Sequence, residues 1–144
     1  MNKNDVFYTC SLIEYIGRTT KNTRADVVMK LGYDKIKKIY THADVFHSDL
    51  IEKVTDEFIE SCNIQTGSYD NVSKCKYTVP SYWDIGEVFS RLIEDVYRDG
   101  DVIQTIIDIY TSWISNAISN YNSDLYYQPR DYIYECYKEG HIAA

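Results

Sequence analysis

Three histidines, four cysteines and a spaced set of carboxylates are the groups in this chain with potential for chemistry. His47 lies three residues after Asp44 and two before Asp49. An imidazole oriented by a carboxylate can serve as a general base. The same arrangement also serves to end one helix and start the next. His42 stands five residues from His47, about 140° around a helix, so the two cannot hold one metal from a single face. Cys10, Cys62, Cys75 and Cys136 are scattered, with no Cys-x-x-Cys pair, which fits reduced thiols, mostly buried, better than a zinc site or a disulfide framework. There is no glycine-rich phosphate loop, Ser/His/Asp constellation or nucleotide fingerprint. The sequence thus assigns no catalytic residue, metal ligand or cofactor, and an enzyme centred on His47 and Asp44 is the third of three functional readings.

A denser signal lies at Tyr77-Thr78-Val79-Pro80-Ser81-Tyr82-Trp83-Asp84-Ile85-Gly86-Glu87-Val88-Phe89. Pro80 disfavours helix before it, and Ser81 with Asp84 three residues on reads as a helix start resembling a capping box. Tyr82, Trp83 and Asp84 then crowd the first turn, where Trp83 is either a core anchor or an exposed binding aromatic. Glu87 with Arg91 and Glu94 with Arg98 are i,i+4 pairs, each worth a few tenths of a kcal/mol on a solvated helix face. Gly86 inside the helix costs about 1 kcal/mol relative to alanine. The close approach of another helix is its expected reason.

Tyrosine is the compositional oddity, at 15 residues. Its apolar ring and polar tip favour half-buried or bound surfaces. Tyr121, Tyr126, Tyr127, Tyr132, Tyr134 and Tyr137 all fall near the C-terminal end, within a stretch from Asp99 onward that carries seven acids against Arg130 and Lys138. That stretch reads as an interaction surface for a basic partner, or as helices whose tyrosines pack on the core. The segment Arg18 to Lys38 is the opposite, with seven bases against Asp26 and Asp34. Within it, Val27, Val28, Leu31, Gly32 and Tyr33 resemble the first helix and turn of a helix-turn-helix. Arg24, Lys35, Lys37 and Lys38 would then be the contacts to nucleic acid. The second helix departs from that pattern, since Ile36 and Ile39 come about two residues early and no Arg or Asn sits there to read bases.

Helical periodicity positions all of these groups. Helices are expected at about Asp5 to Arg18, from Asn22 or Thr23 to Gly32, from Asp34 through Phe46, and from Ser48 past Ile59. Asn63 to Tyr77 is the one long polar connection, a candidate functional loop or a short irregular segment. Helices follow from Ser81 to Arg98, from Asp101 to about Tyr121, and from Pro129 onward. No run alternates as a strand would. The fold class expected is all-α, a single compact orthogonal bundle of about seven helices, with residues 1–144 forming one domain. A chain of 144 residues buries roughly 70% of its unfolded surface and needs no staple. Apolar runs are far short of the ~20 residues of a membrane span, and Met1 to Asp5 lacks a signal-peptide layout. No membrane association is expected, and the expected compartment is the cytoplasm.

Read together, Tyr8-Thr9-Cys10-Ser11-Leu12-Ile13-Glu14-Tyr15-Ile16-Gly17-Arg18, Ala43-Asp44-Val45-Phe46-His47 and Ser81-Tyr82-Trp83-Asp84-Ile85-Gly86 resemble a family of small uncharacterised bacterial proteins. The resemblance covers roughly residues 7 to 98. It implies a gene neighbourhood containing ADP-ribosyltransferase-like proteins, and so an antitoxin-like or defence-associated partner role, with no catalytic residue to carry over. The leading expectation is a non-enzymatic interaction protein that binds another protein, which the resemblance implies to be an ADP-ribosyltransferase-like toxin, through Tyr82, Trp83 and Asp84 and through Tyr126, Tyr127 and Tyr134. A DNA-binding regulator using residues 22–46 is the alternative, and a homodimer through the same aromatic surfaces is the further option.

Overall fold

Helix α1, Lys3–Thr20, is enclosed by the rest of the chain in the computed structural model, which describes residues 1–143. Asn2 caps it by accepting from the Asp5 N–H at 3.1 Å, and Lys21 ends it in the left-handed region at φ 55°. Its buried residues include Tyr8, Cys10, Leu12, Ile13, Glu14 and Ile16, which leaves little of the central turns to face water. A helix covered this fully is a core helix, and α1 contacts four others.

Those others follow in order. Helix α2 is Arg24–Thr41, interrupted at Gly32 by φ 75° and ψ 171°, a conformation that favours glycine. The interruption matches the expected stop at Gly32. Helix α3 is the single turn Ala43–Phe46, and α4 is Ile51–Cys62. After an irregular segment, α5 spans Tyr82–Val96, α6 Val102–Tyr110, α7 Trp113–Ser119 and α8 Arg130–Glu139, with a 3₁₀ turn at Leu125–Tyr127. The protein is all-helical, with no strand among the described residues. One cluster of buried side chains runs from Val6 to Cys136 and joins residues of all eight helices. No helix is long and apolar enough to cross a membrane. The four cysteines are free, Cys10 and Cys136 buried and Cys62 and Cys75 half-buried.

Three boundaries differ from the sequence expectation, two of them through side chains that compete with the backbone. The helix expected from Asp101 to Tyr121 breaks at Thr111 and Ser112. Their hydroxyls donate back to the carbonyls of Ile107 and Ile109, both at 2.7 Å. Such local bonds offer the backbone an alternative to continuing the helix. Ser48 spends its hydroxyl on the Val45 carbonyl at 2.6 Å, so α4 starts later, after Leu50. The third expected helix ends at Thr41, and His42 restarts the chain as the separate turn α3.

The start of α5 is as read from the sequence. Ser81 accepts from the Asp84 N–H at 3.0 Å. Gly86, one turn further on, lies against α1. A Cβ built there would sit 2.8 Å from the Ser11 Cα and 2.9 Å from its backbone nitrogen. The contact is backbone to backbone, so no rotamer change relieves it. Gly86→Ala should therefore destabilise the fold by about 1–2 kcal/mol in chemical denaturation, overpacking outweighing the gain in helix propensity. An unchanged or raised unfolding midpoint would contradict this packing.

Candidate functional site

Glu14 is the group that organises the candidate site. Its side chain is fully buried on α1, and so is that of Arg24 on the first turn of α2. Arg24 grips it with both arms, Nε to Oε1 and Nη2 to Oε2, each at 2.9 Å. Arg18, one turn along α1, donates Nε to Oε2 at 2.8 Å, and the Tyr121 hydroxyl donates to the same oxygen. Gly17 makes the room, since a Cβ there would lie 2.8 Å from the Arg24 Cζ. Burial opposes ionisation of Glu14, but the two guanidiniums and the bonds to it prevail and hold the carboxyl below its usual range. Tyr121 moves the other way, raised by burial and by the Glu14 charge.

This network reaches the surface through its remaining donors. Arg18 Nη2 donates to the Pro80 carbonyl at 2.8 Å and to the Tyr121 hydroxyl at 3.0 Å. Arg24 donates to Asn71 Oδ1 at 3.2 Å, and Asn71 in turn donates to the Ser119 carbonyl at 2.8 Å. Two irregular segments, 74–80 and 121–127, are thus fixed from below. Asn122 ties them together above, accepting from the Lys76 N–H at 2.7 Å and donating to the Lys74 carbonyl at 3.1 Å.

Between these segments lies a cleft of about 590 Å³ lined by Tyr77, Thr78, Tyr121, Asn122, Ser123, Asp124, Tyr126 and Tyr127. Tyr77 and Tyr127 are 68% and 67% exposed. Tyr126 meets Tyr121 and Tyr127 edge-on, with ring centroids 6.0 and 5.0 Å away. Behind Tyr126 and Tyr127 a smaller hollow of about 130 Å³ is lined by Val88, Leu92 and Ile133, with Arg91, Gln128 and Arg130 among its walls. The tyrosine pair forms a ridge between the two.

The other residues singled out in the sequence fall elsewhere. Tyr134 does not line the cleft. Its hydroxyl accepts from Arg98 at 3.1 Å, and Lys138 Nζ lies 4.7 Å from its ring centre. Tyr82 and Trp83 are half-buried in a row of rings rather than projecting, while Asp84 is exposed. Tyr15 meets Tyr82 edge-on at 5.0 Å, Tyr82 meets Trp83 at 4.8 Å, and Trp83 lies 5.5 Å from Phe7 and 5.7 Å from His47. His47 is also 5.2 Å from the Tyr8 ring. The neighbours of the His47 imidazole are therefore aromatic, and it forms no side-chain hydrogen bond with Asp44 or Asp49 among the described residues. The carboxylate-oriented base expected from their spacing is not assembled.

Arg24 is a correction. Sequence position made it a nucleic-acid contact, but it lies fully buried with its guanidinium bound to Glu14. Lys37 and Lys38 are exposed and Lys35 half-buried. Only Gly32 leaves helical geometry within α2, so the three- to four-residue turn that sets a recognition helix across its neighbour is missing. Tyr77, Asn122 and Asn71 were not singled out as site residues in the sequence. Asn71 and Tyr77 lie in the long polar connection and at the head of the helix-start motif, but the pairing of Asn71 with Arg24 and of Tyr77 with Tyr121 and Asn122 is long-range, which no local pattern reveals. Glu14 and Arg18 did carry a local sign, an i,i+4 acid and base with Gly17 beside them on an apolar face. Compared with known protein families, curated proteins and solved structures, the chain matches none.

Glu14→Gln removes the counter-charge of a guanidinium that has no route to water. The expected loss is about 3–5 kcal/mol of unfolding free energy. A group whose folded pKa is lowered contributes stability above its unfolded value, about 4.3 for glutamate, and loses it as pH falls through the folded value. Wild-type stability should thus decline with acid below that point, and Glu14→Gln should show a shallower decline. Parallel acid profiles for the two proteins would rule out an ionised Glu14 at the centre of the fold.

Proposed function

We propose that this chain is a non-enzymatic interaction module that docks a protein partner on the tyrosine cleft between segments 74–80 and 121–127. The observation that carries the reading is that Tyr77 and Tyr127 stand about two-thirds exposed on backbone that a buried ion network and Asn122 hold in place. Exposed aromatics on a rigid frame provide large contact area at little ordering cost, the usual makeup of an interface hot spot. Asp124 is the one ionised side chain among those lining the cleft, which favours a partner presenting basic or hydrogen-bonding groups. The resemblance to small bacterial proteins with ADP-ribosyltransferase-like neighbours supports a specific form of this reading. In that form the chain is the neutralising member of a toxin–antitoxin-like pair, acting in the bacterial cytoplasm.

Affinity capture from native bacterial lysate, with and without nuclease, tests the proposal. The expected result is one stoichiometric protein retained after nuclease, with binding weakened about 30-fold by Tyr127→Ala or Tyr77→Ala, equivalent to about 2 kcal/mol. Both side chains are mostly exposed, so the thermal midpoint should barely move. Capture that vanishes with nuclease would transfer the function to the lysines of α2. Capture that survives both substitutions unchanged would place the docking surface elsewhere.

A further inference from the structure

At the opposite end of α1 from the buried network, a groove of about 760 Å³ separates the first turns of that helix from α3. Asp5, Phe7, Tyr8, Asp44 and His47 line it, with Asn2, Asn4, Ala43 and Ser48 completing its walls. Two of these are carboxylates, and no lysine or arginine is among them. The Asp5 and Asp44 side chains take part in no hydrogen bond or salt bridge within the described residues, so their charge is free to act on a ligand. Asp49, close by in sequence to His47, is only loosely engaged by Lys53, at 3.7 Å with both side chains at least half exposed.

The walls are aromatic as well as acidic. The His47 ring lies between those of Tyr8 and Trp83, and Phe7 packs on Trp83. A second, independent feature points at a ligand. Tyr8 is 2% exposed, yet its hydroxyl has no hydrogen-bond partner in the protein. Buried polar atoms are nearly always paired, and an orphan one on the wall of a groove requires an explanation. Burial first, and then the charge of Asp49, raises this hydroxyl to about 12, so it remains protonated at any physiological pH. It therefore keeps both an O–H and free lone pairs that nothing in the protein uses.

Carboxylates, aromatic faces and a waiting acceptor together suit one chemical class. A guanidinium is planar, stacks on aromatic rings and presents five donors in a fixed fork. We propose that the groove between α1 and α3 is a binding site for an arginine side chain of a protein partner, with Asp5 and Asp44 as counter-ions, Phe7 and His47 as stacking faces and the Tyr8 hydroxyl as an internal acceptor. Lysine matches it less well, because an ammonium neither stacks nor forks. The site is separate from the tyrosine cleft and stands or falls independently of it.

The test is a proton–nitrogen NMR titration of the labelled full chain with Nα-acetyl-arginine amide, and with its citrulline and lysine counterparts. Trp83 and His47 report on the groove, and the Trp113 indole on α7 is the internal control. Saturable shifts at Trp83 and His47 are expected, with citrulline about tenfold or more weaker for want of charge and lysine intermediate. Asp44→Asn should weaken arginine several-fold. Tyr8→Phe should weaken it too while leaving thermal stability equal or higher, because the hydroxyl has no partner to lose; a purely structural tyrosine would do the reverse. Absence of saturation, equal binding of citrulline, or shifts confined to Tyr77 and Tyr127 would each overturn the proposal.

Discussion

The structure depends on neutralising Glu14. An ionised carboxylate with no access to water is tolerable only when its charge and lone pairs are fully engaged, and here Arg24, Arg18 and Tyr121 share the task. The requirement joins two parts of the sequence distant from one another, residues 14–24 and Tyr121. Arg24 must sit on the first turn of α2, so the α1–α2 connection must turn back tightly. Lys21 supplies that reversal in the left-handed region, and Gly17 leaves the space into which Arg24 folds. Tyr121 must return from beyond α7. Replacing such a network with well-packed apolar side chains is often neutral or better for stability. One arrangement of these segments places four donor contacts on the carboxylate, and moving Arg24 away would strand a buried charge.

The irregular segment from Asn63 to Ser81 packs onto that arrangement. It lacks helix and strand, yet it is pinned along its length to the junction of α1 and α2. Gly67 and Tyr69 donate their backbone N–H groups to the carbonyls of Thr20 and Lys21, both at 2.8 Å, and Asn22 donates to the Gln65 carbonyl at the same distance. A Cβ on Gly67 would lie 2.6 Å from the Lys21 carbonyl oxygen, so the segment passes too close for any other residue. The Tyr69 ring lies under Arg24, centroid to Cζ 5.9 Å. A surface loop anchored this way behaves as part of the frame. Tyr77, toward its far end, follows residues 74–76 that Asn122 ties to the 121–127 segment.

Much of this architecture was legible and some was not, for reasons that sort by distance along the chain. The capped start of α5 at Ser81, the stop at Gly32 and the close helix approach at Gly86 are local or nearly local events, and their residue types announce them. The break at Thr111 and Ser112 is also local, but the high content of β-branched residues on both sides keeps the helical period and hides it. Tyr82 and Trp83 stand out in the sequence as a dense aromatic pair, but nothing local reveals that His47 completes their row of rings, since that pairing joins the end of α3 to α5. Tyr126 and Tyr127 do share a cleft, whereas Tyr134 is drawn away by Arg98 and Lys138. Arg24 misled most. By sequence it is one base in a basic segment, and only the fold reveals that its counter-charge lies ten residues earlier on the adjacent helix.

That burial changes the electrostatic character of the molecule. The sequence is bipolar, and the fold reduces the basic side of that contrast at the surface. Of the seven bases between Arg18 and Lys38, Arg18 and Arg24 are turned inward on Glu14, and Lys21 lies 3.8 Å from Asp70. Lys30, Lys35, Lys37 and Lys38 remain on α2 against the exposed Asp26 and Asp34, so the positive excess left there to attract a phosphate backbone is smaller than the sequence count suggests. The seven acids from Asp99 onward are all exposed. Arg130 does little to offset them, because it is held by Glu94 and Asp95 of α5 at 3.0 and 2.9 Å. What solvent and partners meet is a surface weighted toward negative charge, as the formal net charge of −7 requires once the inward-facing arginines are set aside. Long-range fields of this sign speed encounter with basic proteins and oppose approach to nucleic acid. On the proposed reading of the tyrosine cleft, the same inward turn of Arg18 and Arg24 that holds the cleft in shape leaves a surface charge that favours a basic partner.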